Sequence, residues 1–102
     1  MRVPVPDGSI VDLVARLKKS PSVQDVNGAV RAAAEGPMRQ VLEYSEAPLV
    51  SSDIIGNPHS SIFDALSTCS LQDGYVRIVS WYDNEWGYSN RVVDLIDRMA
   101  TL

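Results

Sequence analysis

Apolar and polar residues alternate from Ser9 to Leu17, the pattern of a half-buried β-strand. The tripeptide Pro6-Asp7-Gly8 precedes this run and is typical of a turn, because proline presets φ and glycine accepts positive φ. The pattern therefore predicts a β-turn-β unit, with a short extended segment before the turn.

After the break Lys18-Lys19-Ser20-Pro21, the apolar spacing changes to three and four residues, which predicts a helix. The apolar stripe of this helix consists of Val23, Val26, Val30 and Ala33. Ser22 and Asp25 have the spacing of a capping box, and Gly36-Pro37 ends the helix. Gly28 lies inside it and costs about 1 kcal/mol relative to alanine, so the helix depends on packing against a sheet.

Short strands and loops are predicted for the middle of the chain. Two apolar pieces, Val41–Tyr44 and Leu49–Ser51, surround Pro48 and precede a loop with Gly56, Asn57 and Pro58. Two longer strands, Ser60–Ser70 and Tyr75–Tyr82, flank the hairpin signal Gln72-Asp73-Gly74. The second of them alternates, with Val76 and Ile78 on one face and Tyr75 and Val79 on the other.

From about Ser89 the period becomes helical, and an apolar stripe runs opposite a predicted Asp94–Arg98 pair. The stripe consists of Val92, Leu95, Ile96 and Met99. The elements together predict an α/β fold of the α+β type, with a mainly antiparallel sheet, helices on one face and a C-terminal helix.

Composition and charge limit the number of domains, the partners and the location that the sequence allows. A chain of 102 residues, 45% of them hydrophobic, fits one compact domain. The net charge of -4 and the lack of a basic run argue against nucleic-acid or anionic membrane partners. Without a signal-peptide pattern or an apolar run of transmembrane length, and with Cys69 as the single cysteine, we expect a cytoplasmic protein.

The segment WYDNEWGYSNR, from Trp81 to Arg91, carries the strongest candidate chemistry. A predicted strand ends here and a helix begins, which brings unpaired N–H groups and a positive dipole end to fixed side chains. The alternative is an aromatic-rich packing corner without a ligand.

This segment resembles the end of the catalytic domain of phosphorylating glyceraldehyde-3-phosphate dehydrogenase. Three further blocks resemble the same family in the same order: RVPVPDGSIVDLVARL (2–17), AVRAAAEGPMRQVLEYSEAPLVSSD (29–53) and HSSIFDA (59–65). The resemblance implies that residues 1–88 form the C-terminal portion of the catalytic domain. It implies that residues 89–102 form the C-terminal helix, which packs in the family on a cofactor domain that this chain lacks.

The resemblance also implies three site residues. Arg2 matches an arginine that binds substrate phosphate, and a guanidinium suits phosphate because it donates bidentate hydrogen bonds. Asn84 matches an asparagine that holds the nicotinamide carboxamide, and Tyr88 matches a tyrosine beside the nicotinamide ring. The alternatives are a solvated terminal arginine and an Asn cap beside a core tyrosine. Asp83, Glu85 and Arg91 are interpreted as local ion-pair and capping residues.

The sequence contains no glycine-rich GxGxxG turn between a strand and a helix. Neither Cys69 nor His59 lies in the context of the family's catalytic cysteine and histidine, so we predict no catalytic residue in this chain. Cys69 is expected to be a small residue packed in a strand, and His59 a loop residue hydrogen-bonded to backbone. One histidine and one cysteine predict no metal site.

The resemblance therefore implies that the chain is a fragment of a glycolytic, NAD- or NADP-dependent enzyme that oxidatively phosphorylates an aldehyde through a thioester. Alone, the chain is expected to be inactive and to bind no cofactor. A related alternative is an erythrose-4-phosphate dehydrogenase fragment. A non-catalytic module that self-associates or joins a separate cofactor domain is the other alternative, and the uncovered stripe on the last helix favours a homo-oligomer.

Overall fold

The computed structural model describes residues 1–102 and contains five strands and two α-helices. The elements are β1 (Ser9–Arg16), α1 (Val23–Glu35), β2 (Leu42–Ser45), β3 (Ser61–Asp64), β4 (Cys69–Ser70), β5 (Tyr75–Tyr82) and α2 (Asn84–Ala100). The sheet has the order β1-β5-β3-β2, with β4 also paired to β5. Only β2 and β3 run parallel, which confirms a mainly antiparallel sheet with a C-terminal helix.

β5 is the central strand of this sheet. It pairs with β1 along its whole length, from Ser9 opposite Tyr82 to Arg16 opposite Tyr75. Val76 and Val79 are buried at positions of opposite parity, so both faces of β5 are partly covered. Because β5 is a regular strand, Val76 and Ile78 lie on one face and Tyr75 and Val79 on the other, as predicted.

The turn between β4 and β5 confirms the hairpin signal. Asp73 and Gly74 both have positive φ, of 62° and 80°. A Cβ atom on Gly74 would lie 2.5 Å from the carbonyl oxygen of Leu17, so a larger residue would displace the end of β1. Glycine is needed here both for its backbone conformation and for its size.

α1 matches its prediction closely. The Ser22 hydroxyl accepts from the Asp25 N–H at 3.0 Å, and the Asp25 carboxylate accepts from the Ser22 N–H at 3.0 Å. The helix ends at Glu35, and Gly36 is its C-cap. The stripe of Val23, Val26, Val30 and Ala33 is half-buried. The local signals were sufficient because a capping box and its glycine stop act within one turn.

Two predicted strand segments are absent. Residues 1–8 form no strand, so the β-turn-β unit is wrong in its first half: Pro4 and Pro6 have no N–H to donate to a ladder. The predicted strand Leu49–Ser51 is also wrong. Ser51–Asp53 form a 3₁₀ turn, in which the Asp53 carboxylate accepts from the Val50 N–H at 2.8 Å.

The predicted strand Ser60–Ser70 is interrupted. β3 and β4 are separated by a 3₁₀ turn at Ala65–Ser67. The buried Asp64 explains the interruption, since its carboxylate accepts from the Ser67 hydroxyl and from Trp81 Nε1, both at 3.1 Å. A side chain that binds the residues after it favours a turn over a continued strand.

α2 begins at Asn84, five residues before the predicted start near Ser89. The Asp83 side chain caps it by accepting from the Trp86 N–H at 3.1 Å. The predicted Asp94–Arg98 pair is also wrong, because Asp94 pairs with Arg91 at 2.8 Å. Neither helix combines the length and the apolar composition needed to span a bilayer.

The core is small and the surface is large. The buried hydrophobic residues are Ile54, Ile62, Phe63, Ala65, Val76 and Val79. The accessible surface is 7307 Å², against roughly 5,700 Å² for a compact monomer of this mass. The radius of gyration is 15.1 Å, against about 13 Å for a compact domain of this length. Much apolar surface therefore stays uncovered in the isolated chain.

Candidate functional site

The start of α2 is organised by the buried Asp83. One oxygen of its carboxylate accepts from the Trp86 N–H, and the other accepts from the Gly56 N–H at 2.8 Å. Desolvation alone would raise the pKa of Asp83. The hydrogen bonds from Gly56, Asp7, Trp86 and Glu85 outweigh it and hold this pKa below its usual value. Asp83 is therefore an ionised anchor for the residues that follow it.

Asn84, the first residue of α2, contacts the beginning of β1. Its Nδ2 donates to the Ser9 hydroxyl at 2.7 Å, and its Oδ1 accepts from the Gly8 N–H at 3.2 Å. Gly8 has φ of 104°, and a Cβ atom there would lie 2.9 Å from Cδ1 of the buried Ile54. The turn that presents this N–H therefore requires glycine.

Arg2 and Asn84 line the same groove, which we call the N-terminal groove. It lies between residues of the segment 1–10, Ser51, Trp81–Tyr82 and the start of α2, and has a volume of about 460 Å³. Arg2 is exposed and belongs to none of the salt bridges of the chain. A free guanidinium and a partly free amide in one groove form a polar site suited to a ligand with anionic and amide groups.

Tyr88 lies outside the groove lining. Its side chain is 72% exposed, so a core tyrosine is ruled out in this chain. Asp83, rather than Asn84, is the N-cap residue, so the alternative of an Asn cap is also wrong. Tyr88 follows Asn84 by four residues on α2, which places both on one helix face.

Three carboxylates meet at the groove, and two of them, those of Asp7 and Glu85, line it. Oxygen atoms of Asp7, Asp83 and Glu85 lie within 4.8 Å of one another. A hydrogen bond from the Asp7 carboxyl to Asp83 raises the pKa of Asp7, with a smaller contribution from desolvation. When the pair carries a single proton, Asp7 therefore holds it in preference to Asp83.

His59 is positioned by side chains and not by backbone, which corrects the expectation for this residue. Its Nδ1 lies 2.8 Å from Asn57 Oδ1 and 3.2 Å from Glu43 Oε2. A second cavity of about 370 Å³ opens beside it, between the end of α1 and β2. Cys69 is half-buried in β4, opposite Arg77 of β5.

Reasoning from sequence missed Asp7, Gly8 and Ser9 as partners of the α2 start. The turn signal located them, but nothing local indicates their partner, since Gly8 and Asn84 are 76 residues apart. Asp83 was interpreted as a local capping residue, and its capping bond to Trp86 agrees with this. Its second bond to Gly56 has no local signal either.

A mainly antiparallel sheet whose central strand leads into a C-terminal helix, with a polar groove at that junction, defines a partial domain of the α+β class. The chain belongs to the glyceraldehyde 3-phosphate dehydrogenase family, in the part described as the C-terminal domain, whose sequence profile matches residues 1–84. The match ends at the first residue of α2.

Three relatives illustrate the similarity. Glyceraldehyde-3-phosphate dehydrogenase of Mycolicibacterium smegmatis is 57% identical over 96 residues, which cover 94% of this chain and 28% of that protein. The Mycobacterium avium protein of the same name is 58% identical with the same coverage. Glyceraldehyde-3-phosphate dehydrogenase 1 of Caenorhabditis elegans is 57% identical over 98% of this chain and 29% of that protein. The chain thus spans less than a third of the length of these relatives.

Proposed function

We propose that this chain supplies the C-terminal part of a phosphorylating glyceraldehyde-3-phosphate dehydrogenase and contributes binding residues, not reacting groups. Arg2 binds the phosphate of the substrate, Asn84 binds the carboxamide of the nicotinamide cofactor, and Tyr88 lies beside the nicotinamide ring. The observation that carries the proposal is the shared groove of Arg2 and Asn84. Residues at the two ends of the chain face one space, as a substrate and a cofactor that react together require.

The hydrogen-bonding capacity of the two residues fits these roles. Arg2 has no salt-bridge partner, so its guanidinium is free for a phosphate. The Asn84 amide uses one donor and one acceptor position within the chain and keeps one of each. These two positions match the donor and acceptor of a carboxamide. The cofactor, NAD or NADP, supplies the hydride-accepting ring when bound.

The proposal includes a separate cofactor domain as partner. Leu95, Ile96 and Met99 are about 60% exposed on α2, and such a stripe needs an apolar cover. We propose that residues 89–102 pack on that domain, that residues 1–88 complete the catalytic domain, and that the assembled enzyme is a cytoplasmic homo-oligomer.

Alone, the chain is proposed to be inactive, because Cys69 and His59 do not form a nucleophile–base pair: His59 contacts Asn57 and Glu43. The purified chain should show no aldehyde-dependent NAD or NADP reduction. Turnover abolished by Cys69→Ser would instead make Cys69 a nucleophile, and turnover that survives this substitution would refute the proposed account of inactivity.

The phosphate role of Arg2 is tested in a chimera in which this chain replaces the aligned segment of the C. elegans relative. Arg2→Ala should lower kcat/KM for glyceraldehyde 3-phosphate, because a charge-assisted phosphate contact is lost. The decrease should correspond to about 2–4 kcal/mol of lost transition-state stabilisation. It should hardly change kcat/KM for unphosphorylated glyceraldehyde. Arg39→Ala, an exposed arginine at the second cavity, is the matched control. Equal losses for both aldehydes would remove Arg2 from the phosphate site.

The second candidate function, self-association without catalysis, is favoured by the large accessible surface of 7307 Å². Stable dimers of the isolated chain, together with a chimera that lacks dehydrogenase activity, would support this candidate.

A further inference from the structure

The orientation of the Asn84 amide is determined by its two partners. The Gly8 N–H can only donate, and it is shared between Asp7 Oδ1 at 2.8 Å and the Asn84 amide oxygen at 3.2 Å, so this oxygen has to face it. The NH₂ group then faces the Ser9 hydroxyl, which accepts at 2.7 Å. Because one partner is an obligatory donor, a flipped amide would place two donors against each other. The exposed edge of Asn84 therefore has a defined donor and a defined acceptor.

We propose that Ser9 is a positioning residue for Asn84, so that Ser9 affects cofactor binding through the orientation of the Asn84 amide. This inference rests on the proposed cofactor role of Asn84. Ser9 accepts the only hydrogen bond that Nδ2 makes within the chain, and it is the shorter of the two bonds that hold the amide. A hydroxyl that fixes one end of the amide limits its rotation and prepares the free edge for a carboxamide.

The backbone of Ser9 is held in place by strand pairing. Ser9 is the first residue of β1 and pairs with Tyr82 of β5, two residues before Asn84. The strand pair thus fixes the backbone on both sides of the Ser9–Asn84 bond. Without the hydroxyl, the amide is held only by the Gly8 N–H and can swing about that contact. The fold still forms, because the strand pairing of Ser9 uses backbone groups.

The test uses the chimera with the C. elegans relative and four variants: Ser9→Ala, Ser9→Thr, Asn84→Ala and the double variant Ser9→Ala/Asn84→Ala. Cofactor affinity is measured by titration, and hydride transfer is measured in a single turnover. Ser9→Ala should weaken NAD binding roughly two- to tenfold, as for one lost neutral hydrogen bond, and should slow hydride transfer. Ser9→Thr keeps the hydroxyl and should restore both.

Non-additivity separates positioning from a general structural effect. If Ser9 acts through Asn84, the double variant should bind NAD no more weakly than Asn84→Ala. The penalty of Ser9→Ala should also shrink with a cofactor analogue whose carboxamide is replaced by an acetyl group, since this analogue cannot use both amide positions. Ser20→Ala, an exposed serine remote from the groove, should behave as the parent chimera.

The outcomes distinguish the inference from the proposal on which it rests. An Asn84→Ala chimera with unchanged affinity and hydride transfer overturns both. A clear defect in Asn84→Ala together with unchanged binding in Ser9→Ala overturns only the role of Ser9. Additive losses in the double variant, or failure of Ser9→Thr to restore binding, also overturn it. Thermal unfolding of each variant shows whether an affinity loss accompanies a folding defect, and a loss matched by such a defect and not rescued by threonine counts against positioning.

Discussion

The carboxylate of Asp83 accepts from the backbone N–H of Gly56 at 2.8 Å, so the start of α2 is tied to the loop between β2 and β3. The same carboxylate caps α2 through Trp86. Asp83 is only 3% exposed, and its negative charge is compensated by backbone N–H groups and the Asp7 carboxyl instead of a cation. This single side chain thus sets where α2 begins, and with it the position of Asn84.

Asp83→Ala should destabilise the chain by about 2–4 kcal/mol, because it removes a helix cap and the charged acceptor of the Gly56 N–H. Urea unfolding followed by circular dichroism measures the change. Asp97→Ala, on the exposed part of the same helix, is the matched control and should shift stability by less than about 0.5 kcal/mol. A loss for Asp83→Ala as small as that of the control would contradict the anchoring role.

The Asp7–Asp83 pair should give the chain a distinctive pH dependence. The pKa of Asp7 is raised in the folded state, so its contribution to stability is present below the unfolded value of about 3.9 and is lost as pH rises through the folded pKa. Asp7→Asn supplies a hydrogen-bond donor that does not titrate. This variant should therefore gain stability relative to the parent as pH rises from about 4 to 7.

Melting temperatures of the parent chain and of Asp7→Asn, from about pH 2 to pH 7, measure the effect. Asp12→Asn serves as a control of opposite sign, because Arg77 lowers the pKa of Asp12 by a bidentate hydrogen bond. The stability from Asp12 is present above about pH 4 and is lost as pH falls through its lowered pKa. Parallel pH profiles for the parent and Asp7→Asn would show that the two carboxyls do not share a proton.

Two glycines should respond to alanine in opposite directions. Gly8→Ala should destabilise by about 1–3 kcal/mol, because φ is 104° and the new Cβ would meet Ile54 at 2.9 Å. Gly28→Ala should stabilise by up to about 1 kcal/mol, since no atom lies within 4 Å of the new Cβ in the interior of α1. Chemical unfolding of both variants measures these changes in stability. A stabilising effect of Gly8→Ala would show that the turn does not require glycine.

The exposed stripe of α2 should cause self-association of the isolated chain. Burial of each large apolar side chain is worth roughly 1.5–3 kcal/mol, and Leu95 and Ile96 are 58% and 60% exposed. Sedimentation should therefore detect dimers or larger species at micromolar concentrations. The double variant Leu95→Ser/Ile96→Ser should shift the population towards monomer, whereas Asp97→Ser should not. A parent chain that sediments as a clean monomer would oppose the prediction.

The sequence predicted those parts of the fold that depend on neighbours along the chain. The Ser22–Asp25 capping box located the start of α1, and Asp73-Gly74 located the β4–β5 turn, because each signal acts over a few residues. The break after β3 was missed because Asp64 is satisfied partly by Trp81, a partner 17 residues away. A hydrogen bond between residues that are far apart along the chain produces no periodic pattern in the sequence.

The residues of the candidate site also fall into two groups, those that the sequence identified and those that it did not. Motif resemblance pointed to Arg2 and Asn84, and the structure places both in the N-terminal groove. Ser9, Gly8 and Asp7 were not identified, because their roles depend on the pairing of β1 with β5. The early start of α2 was missed because the apolar period of the helix becomes regular only after its capped first turns.

The central place of β5 has a consequence for the order in which the protein forms during synthesis. β1 has no strand partner other than β5, and β5 is the last of the five strands to leave the ribosome. Until then β1 is an unpaired apolar segment, of the kind that chaperones bind and that aggregates readily, and its residues Ile10, Val11, Leu13 and Val14 stay about half exposed even in the folded chain. The N-terminal groove therefore forms only after β5 has been synthesised. A ligand that binds in the groove stabilises only those chains that have completed folding.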